Sequence, residues 1–393
     1  MVSLARQVAF DVLLRIESGG WAADLLLERS ADLDSRDAGL ASEIVFGGLR
    51  YQAQLDFLIE SLSQRRVTKL DPEVRVALRM GVYQLRYLER IPRHAAVSES
   101  VDLVKRARKT SAAGFVNAVL RKVTRDEVTW PNRATALSMP QWLLERWDRQ
   151  FGKETADSIA KAFLQKPETY VRVPGGTVPP TSTDVTLEPT EVPGCYRVTS
   201  GAPEGLRVMD IGSQSIVPLL HLRTGDRFLD VCAAPGNKTA QALESGVHAI
   251  ACDLHWHRAR TIQGCTPAVI DATHPLPFRQ RFNRILVDAP CSGTGTLGRN
   301  PEIRWRIAPE DVLDLQRRQV AILRNALDVL ESPGLLVYST CSLEEEEDEA
   351  VVREALKGRN DVRLVDENRR IPGRDAGDGF YAAVLVSGGT ANG

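Results

Sequence analysis

Two kinds of apolar periodicity divide the chain. Over its first third, hydrophobic residues recur every three or four positions, as at Val8, Val12 and Ile16 and again at Val97, Val101 and Val104. That spacing lays an apolar stripe along a helix, so residues 1–127 are predicted to form an all-helical bundle. Proline is scarce there, and Pro72 and Pro92 stand where helices can begin. Trp130, Trp142, Leu143, Leu144, Trp147 and Phe151 carry the helical pattern on to about 167. YVRV and YRVTS are then short strand candidates flanking a stretch with Pro174, Pro179, Pro180, Pro189 and Pro193. Residues 128–205 are therefore predicted to be a helical linker plus a small connecting module.

From 206 to 390 the period becomes that of strands. The runs are RFLDVC (227–232), HAIACD (248–253), PAVID (267–271), RILVDAP (284–290), GLLVYST (334–340), VRLV (362–365) and FYAAVLV (380–386). Helical stretches are expected between the first five, which predicts a doubly wound, mostly parallel, seven-stranded sheet.

Composition narrows the class. With 393 residues, 43% hydrophobic and 26% charged, the chain calls for two or three globular domains. No apolar run reaches 18 residues, and the N-terminus lacks the order of a signal peptide, so no membrane attachment is expected. Six cysteines without a CxxC pair disfavour a disulfide scaffold and structural zinc, and point to a reducing, cytoplasmic setting. His255 and His257 have no third ligand, so no metal is expected, and a monomer is expected. The net charge of −1 conceals an asymmetry: residues 1–140 hold 21 Lys+Arg against 17 Asp+Glu, net +4, leaving −5 for the rest. Between Asp102 and Asp126 lie Lys105, Arg106, Arg108, Lys109, Arg121, Lys122 and Arg125 with no acid among them. A solvated helix face is the plain explanation for any one helix. Seven such cations over two helices predict an RNA-contacting surface.

Ligands of doubly wound sheets collect at the carboxyl ends of the strands. Four ends here are distinctive: Asp253, Asp271, Asp288 and Cys341. The loop after the first strand is no phosphate loop, because Cys232 and Asn237 stand where a Walker A motif needs glycine. It is a small-residue turn followed by Lys238, which is expected to open a helix. Asp253 follows Asp230 by 23 residues, the spacing at which a second-strand acid meets ribose hydroxyls. An adenosyl ligand without a phosphate cradle points to S-adenosylmethionine. DAPCSGTG (288–295) and STCS (339–342) end neighbouring strands, so Asp288, Cys291 and Cys341 are expected to converge. Cys195, Cys252 and Cys265 are expected to be inert packing residues. Ser342 and Glu345 have capping-box spacing, which would put Cys341 beside a helix N-terminus that favours a thiolate. The acids 344–349 are expected to be a solvated first turn opposing it. A thiolate suits a methyltransferase acting on a pyrimidine, since addition at C6 makes C5 enamine-like. Asp288 is placed to contact N3 of a cytosine, which must be presented unstacked.

SEIVFGGLRYQAQLDFLI (42–59), IPRHAAVSESVDLVKRA (91–107) and GFVNAVLRKV (114–123) make the first domain resemble the NusB-like RNA-binding domain. FLDVCAAPGNKT, VDAPCSGTGTLGRNPEIRW, YSTCSLEEEEDEAVV and DGFYAAVL resemble the NOL1/NOP2/Sun family of RNA cytosine-C5 methyltransferases. Fusion of the two is similar to that family's 16S rRNA branch. The resemblance implies a class I, Rossmann-like methyltransferase domain dependent on S-adenosylmethionine, and 16S rRNA as partner. It implies Cys341 as nucleophile and Cys291 as the cysteine assisting release. Cofactor contacts map onto Cys232, Ala233, Ala234, Pro235, Gly236, Asn237, Lys238, Asp253, Asp271 and Asp288. Three departures stand out. Asn237 replaces a family glycine, and its tolerance of left-handed backbone is expected to preserve the turn. Only 17 residues separate Asp253 from Asp271, which calls for a clipped helix. The connecting module is also reduced. A tRNA substrate, or an RNA-binding assembly factor with a decayed methyltransferase domain, are the competing readings.

Overall fold

A computed structural model describes residues 2–176 and 184–388; Pro179 and Pro180 of the proline-rich stretch lie outside them. Contacts divide the chain into two compact units, one of residues 1–166 with 297–306, the other of 167–296 with 307–393. Of the residues expected to form a helical linker and a small connecting module, the helices belong to the first unit and the strands to the second.

The first unit is helical. It comprises α1 (Leu4–Glu17), α2 (Ala22–Arg29), α3 (Ser35–Arg50), α4 (Gln52–Ser63), α5 (Pro72–Tyr87), α6 (Arg93–Arg106) and α7 (Ala113–Arg121). The short α8 (Arg133–Ala136), α9 (Gln141–Phe151) and α10 (Lys153–Ala162) follow. Pro72 is the first residue of α5 and Pro92 caps α6, where a missing N–H costs nothing. Val12, Ile16, Val97 and Val104 are buried in one core, as the helical spacing predicts. Arg133 pins α8 to α9 and α10 through ion pairs to Asp148 (2.6 Å) and Asp157 (2.5 Å). The segment 297–306 contributes Arg304, which is 1% exposed and donates to the carbonyls of Ser138 (3.1 Å), Phe163 (3.3 Å) and Leu297 (2.9 Å). Burial pushes its guanidinium down to about 9, so these carbonyl oxygens are what make a cation tolerable there.

The second unit opens with a small antiparallel sheet of β1 (Tyr170–Arg172), β2 (Thr186–Pro189), β3 (Cys195–Ser200) and β4 (Arg207–Val208), in the order β2-β3-β1-β4. The main sheet has seven strands: β5 (Arg227–Asp230), β6 (His248–Asp253), β7 (Thr266–Val269), β8 (Phe282–Asp288), β9 (Leu330–Thr340), β10 (Val362–Arg370) and β11 (Phe380–Ser387). Their order is β10-β11-β9-β8-β5-β6-β7, with β5 to β9 all paired parallel and the pairings of β11 with β9 and with β10 antiparallel at one edge. Alternate side chains serve two cores. Leu229, Ile285, Val287, Leu336 and Tyr338 pack on one face beneath α14 (Pro309–Asp328) and α15 (Glu349–Ala355). Phe228, Leu286, Val337 and Val384 pack on the other against Ile216, Leu220 and α12 (Asn237–Leu243). A strand buried on both faces reads as a continuous apolar run, which is why these were the easiest elements to predict. A four-residue helix, α11 (Ile211–Gln214), precedes the sheet.

One expectation fails. Helices follow β5, β6 and β8, but among the described residues none lies between β7 and β8. That connection carries Pro275 and Pro277, which remove backbone donors a helix would need. The crossover after β6 is indeed clipped, to the four-residue α13 (Trp256–Ala259).

Candidate active site

β5 ends at Asp230, and the chain then folds into a tight turn tied to the neighbouring strands. Val231 donates to Leu286 O (2.9 Å), Ala233 to Cys252 O (2.7 Å) and Gly236 to Ala233 O (2.7 Å). Gly236 takes a φ of +101°, and a Cβ there would lie 3.3 Å from Ile262, so glycine suits the position on both counts. Asn237 is not left-handed, contrary to expectation. It is the first residue of α12, so a glycine after Gly236 is not needed. Ala233 and Ala234 are buried, and Pro235 between them and Gly236 is exposed.

Lys238 does not stand free beside the turn. Its Nζ is 2.7 Å from Asp288 Oδ2 and 5.2 Å from the Phe380 ring centroid. Ser339 Oγ donates to Asp288 Oδ1 at 2.8 Å, so the acid at the end of β8 is oriented from both sides. Asp253 ends β6, accepts the His255 amide (3.0 Å) and has Arg258 3.7 Å away. Asp271 lies two residues beyond β7 and is exposed. Two hydrogen bonds from Thr273 hold its carboxyl below the usual range. His255 and His257 stack at 5.5 Å.

Sequence reasoning used Asp230 only as a spacing mark, yet it is the most perturbed acid of this turn. It is 1% exposed; its Oδ2 accepts from Thr239 Oγ1 (2.7 Å), while its Oδ1 is buried without a partner. Burial pushes its carboxyl up to about 7 despite the Thr239 bond. An unmatched acceptor beneath a backbone-lined turn fits a ligand that brings a donor, such as the ammonium of S-adenosylmethionine. The strand-end rule that singled out Asp253 and Asp288 applies equally to Asp230.

The cysteines converge as predicted. Cys291 Sγ and Cys341 Sγ are 3.3 Å apart, on the loops that follow the paired parallel strands β8 and β9. The neighbouring sulfur and burial together drive the Cys291 thiol well up. Gly295 permits this approach. Its amide donates to Cys341 O at 2.9 Å, and a Cβ there would lie 2.4 Å from Gly379 O and 2.8 Å from Cys341 O. Cys195 and Cys252 are buried and Cys265 is half-buried; burial raises the thiol pKa of all three, consistent with packing roles.

The surroundings of Cys341 differ from expectation. Ser342 is not a helix cap: the chain makes a single 3-10 turn at Glu345–Glu347, and α15 starts only at Glu349. No helix N-terminus adjoins the thiol in sequence. The acids are not all solvated either, since Glu344, Glu347 and Asp348 have no exposed surface. Asp348 accepts from Thr340 Oγ1 (2.5 Å) and lies 2.9 Å from Arg369. Run composition hides this because these three acids turn inward, Glu347 and Asp348 to partners that lie outside the run.

The seven cations of the helical unit are less uncompensated than their sequence suggests. Lys105 pairs with Asp102 (3.3 Å), Arg106 with Asp11 (3.5 Å) and Lys109 with Asp71 (2.9 Å). Arg125 caps the carbonyls of Leu85 and Leu88, and Lys122 reaches Leu62 O. Arg108 and Arg121 make no ion pair among the described residues. Exposed pairs of this kind contribute little and release their cations readily.

A parallel sheet of this order, closed at one edge by an antiparallel hairpin and carrying an adenosyl-type turn after its first strand, defines an S-adenosylmethionine-dependent methyltransferase, and the accompanying helical unit extends the class to enzymes that act on RNA. The family model "16S rRNA methyltransferase RsmB/F" matches residues 217–386, and the NusB family model matches 3–125. The ribosomal RNA small subunit methyltransferase B of Thermus thermophilus is 36% identical over 97% of each chain, and a probable one from Synechocystis is 32% identical over 91% of this chain and 90% of its own. The chain belongs to this RsmB/F family of 16S rRNA methyltransferases. At the level of fold, the crystal structure of PH0851 matches 98% of both chains with a TM-score of 0.82 at 20% identity. NSun6 from Pyrococcus horikoshii, solved with SFG, covers 64% of this chain and 99% of its own, with a TM-score of 0.57 at 18% identity.

Proposed function

We propose that the protein methylates C5 of a cytosine in 16S rRNA, in the cytoplasm, through a covalent adduct between Cys341 and C6. The observation that carries this reading is the 3.3 Å approach of two sulfurs on loops that follow adjacent parallel strands, with Asp288 at the end of one of them. A single thiol would serve many reactions. Two in contact suit a reaction in which one sulfur must attack and later leave.

S-adenosylmethionine, when bound, supplies the electrophilic methyl group. Asp230, Asp253, Asp271 and the turn from Cys232 to Lys238 are the residues that would hold it. Cys341 adds to C6 as thiolate, which moves electron density to C5 and makes it nucleophilic. Asp288, held by Lys238 and Ser339, faces N3 and favours the protonated ring that addition requires. Loss of the C5 proton to a base then drives out the Cys341 thiolate and restores the aromatic ring. Cys341, on the loop after β9, is the attacking sulfur in this reading, and Cys291, 3.3 Å from it, assists release. The cations Lys105, Arg106, Arg108, Lys109, Arg121, Lys122 and Arg125 serve as phosphate contacts for the RNA.

Cys341→Ala tests the assignment. Methyl transfer to small-subunit rRNA is expected to disappear while S-adenosylmethionine binding by calorimetry persists. Undiminished transfer in that variant rules out Cys341 as nucleophile.

A further inference from the structure

The two reacting loops meet at one buried carboxylate. Glu347 Oε1 accepts the Ser292 amide (2.8 Å) and Gln319 Nε2 (3.0 Å). Its Oε2 accepts Ser342 Oγ (2.6 Å) and also Ser292 Oγ. Ser292 directly follows Cys291 and Ser342 directly follows Cys341, so a single side chain holds the neighbour of each sulfur. Gln319, on α14, also donates to Pro290 O (2.9 Å), which fixes the residue before Cys291. Tyr338, three residues before Cys341 on β9, donates its hydroxyl to the Glu347 carbonyl at 2.6 Å. Thr294 Oγ1 accepts the Leu343 amide (3.0 Å), a second stitch between the same loops. Glu347 has no exposed surface. Burial pushes its carboxyl up, while the hydrogen bonds from Ser292, Ser342 and Gln319 favour its charged form.

We propose that Glu347 is the positioning residue of the thiol pair: it sets the separation and relative orientation of Cys291 and Cys341 by gripping the serine beside each. It touches neither substrate nor cofactor in this assignment. The inference rests on reading the two thiols as the reacting groups, but the geometry it concerns is measurable without methyl transfer. The two loops leave adjacent strands side by side, and without a tie each would move with the amplitude of ordinary loop motion. A displacement of about 1 Å between reacting groups is enough to cost roughly 100-fold in rate.

The test combines a probe of sulfur approach with single-turnover kinetics. Phenylarsine oxide bridges two adjacent thiols as a dithioarsinite, the arsenic forming two As–S bonds while its oxygen leaves as water with both thiol protons. The wild-type protein is expected to bind one equivalent tightly at this pair, and Cys291→Ser to lose that affinity. In Glu347→Gln one acceptor oxygen becomes an amide donor, so the two serine hydroxyls that donate to Glu347 can no longer both do so and the charge that grips them is lost. Phenylarsine oxide affinity is then expected to fall at least 10-fold and the single-turnover rate about 10- to 100-fold. The KM for RNA and the Kd for S-adenosylmethionine stay within 2-fold of wild type. Glu347→Asp, one methylene too short to reach both loops, is expected to rescue neither quantity fully. If Glu347→Gln loses S-adenosylmethionine binding altogether, the double variant Ser292→Ala/Ser342→Ala, which removes the gripped hydroxyls and leaves the acid, decides by the same two readouts. Wild-type arsenical affinity together with a wild-type rate, in Glu347→Gln or in that double variant, overturns the proposal. Activity retained in Cys341→Ala instead overturns the functional reading and leaves the arsenical result to judge the positioning role by itself.

Discussion

Asp230 allows a quantitative prediction in which sign and size both come from the structure. Its carboxyl rises from 3.8 to about 7 in the folded protein because burial penalises the charged form and Asp288 adds to the rise. A group whose folded pKa is raised supports the fold when protonated, and that support is lost as pH climbs toward the folded pKa. Asparagine has nearly the same shape, accepts the Thr239 hydroxyl through its own oxygen and cannot ionise. Below about pH 4 the wild type and Asp230→Asn carry the same charge at this position and should differ little in stability. Between about pH 4 and 7 the wild type loses roughly 1.4 kcal/mol per pH unit relative to the variant, about 4 kcal/mol in all, and the gap is constant above. Denaturant unfolding of the ligand-free proteins from pH 5 to 8 measures it, with hydrogen exchange of β5 peptides reporting on the second unit alone. Comparing the two proteins at each pH cancels the titrating groups that do not interact with Asp230. A stability difference that stays flat within 1 kcal/mol across that range refutes the reasoning. S-adenosylmethionine should reverse the preference, because a donor at Oδ1 favours the carboxylate. Wild-type binding therefore tightens as pH rises toward 7 and releases a proton, while Asp230→Asn binds more weakly with no such dependence.

Two further substitutions probe packing. Gly295→Ala places a methyl 2.4 Å from Gly379 O, so the strand end bearing Cys341 must shift; at least a 10-fold fall in single-turnover rate is expected with cofactor affinity unchanged, as read by rapid quench and calorimetry. Arg304→Leu strands three buried carbonyls in the helical unit and should destabilise it by about 3–5 kcal/mol, measured by denaturant unfolding; a loss under 1 kcal/mol contradicts the role given to that guanidinium.

How far the sequence carried these conclusions depended on whether a feature is local or made by distant partners. The apolar runs of β5, β8 and β9 were legible because strands buried on both faces tolerate little else. The cysteine pair was legible too, since adjacent parallel strands must deliver their carboxyl ends to one edge. Asn237 was misjudged through a local rule applied one residue late, the left-handed position belonging to Gly236. Glu347 lay in an acidic run that composition assigns to solvent, and its four donors come from 28 to 55 residues away in three cases and from Ser342, five residues back, in the fourth. Nothing in the local pattern marks which acid of such a run turns inward. The partners of Lys109 and Arg106 are likewise remote in sequence, which is why a charge count overstated the open cationic surface.

Covalent attack by Cys341 on a cytosine is the centre of the account. Its most direct test is peptide-level mass spectrometry of Cys291→Ala after incubation with small-subunit rRNA and methyl-labelled S-adenosylmethionine. With the releasing thiol gone, a methylated cytidine fragment is predicted to remain on the peptide that contains Cys341. Normal turnover without an adduct, or a nucleotide attached to any other residue, contradicts the mechanism.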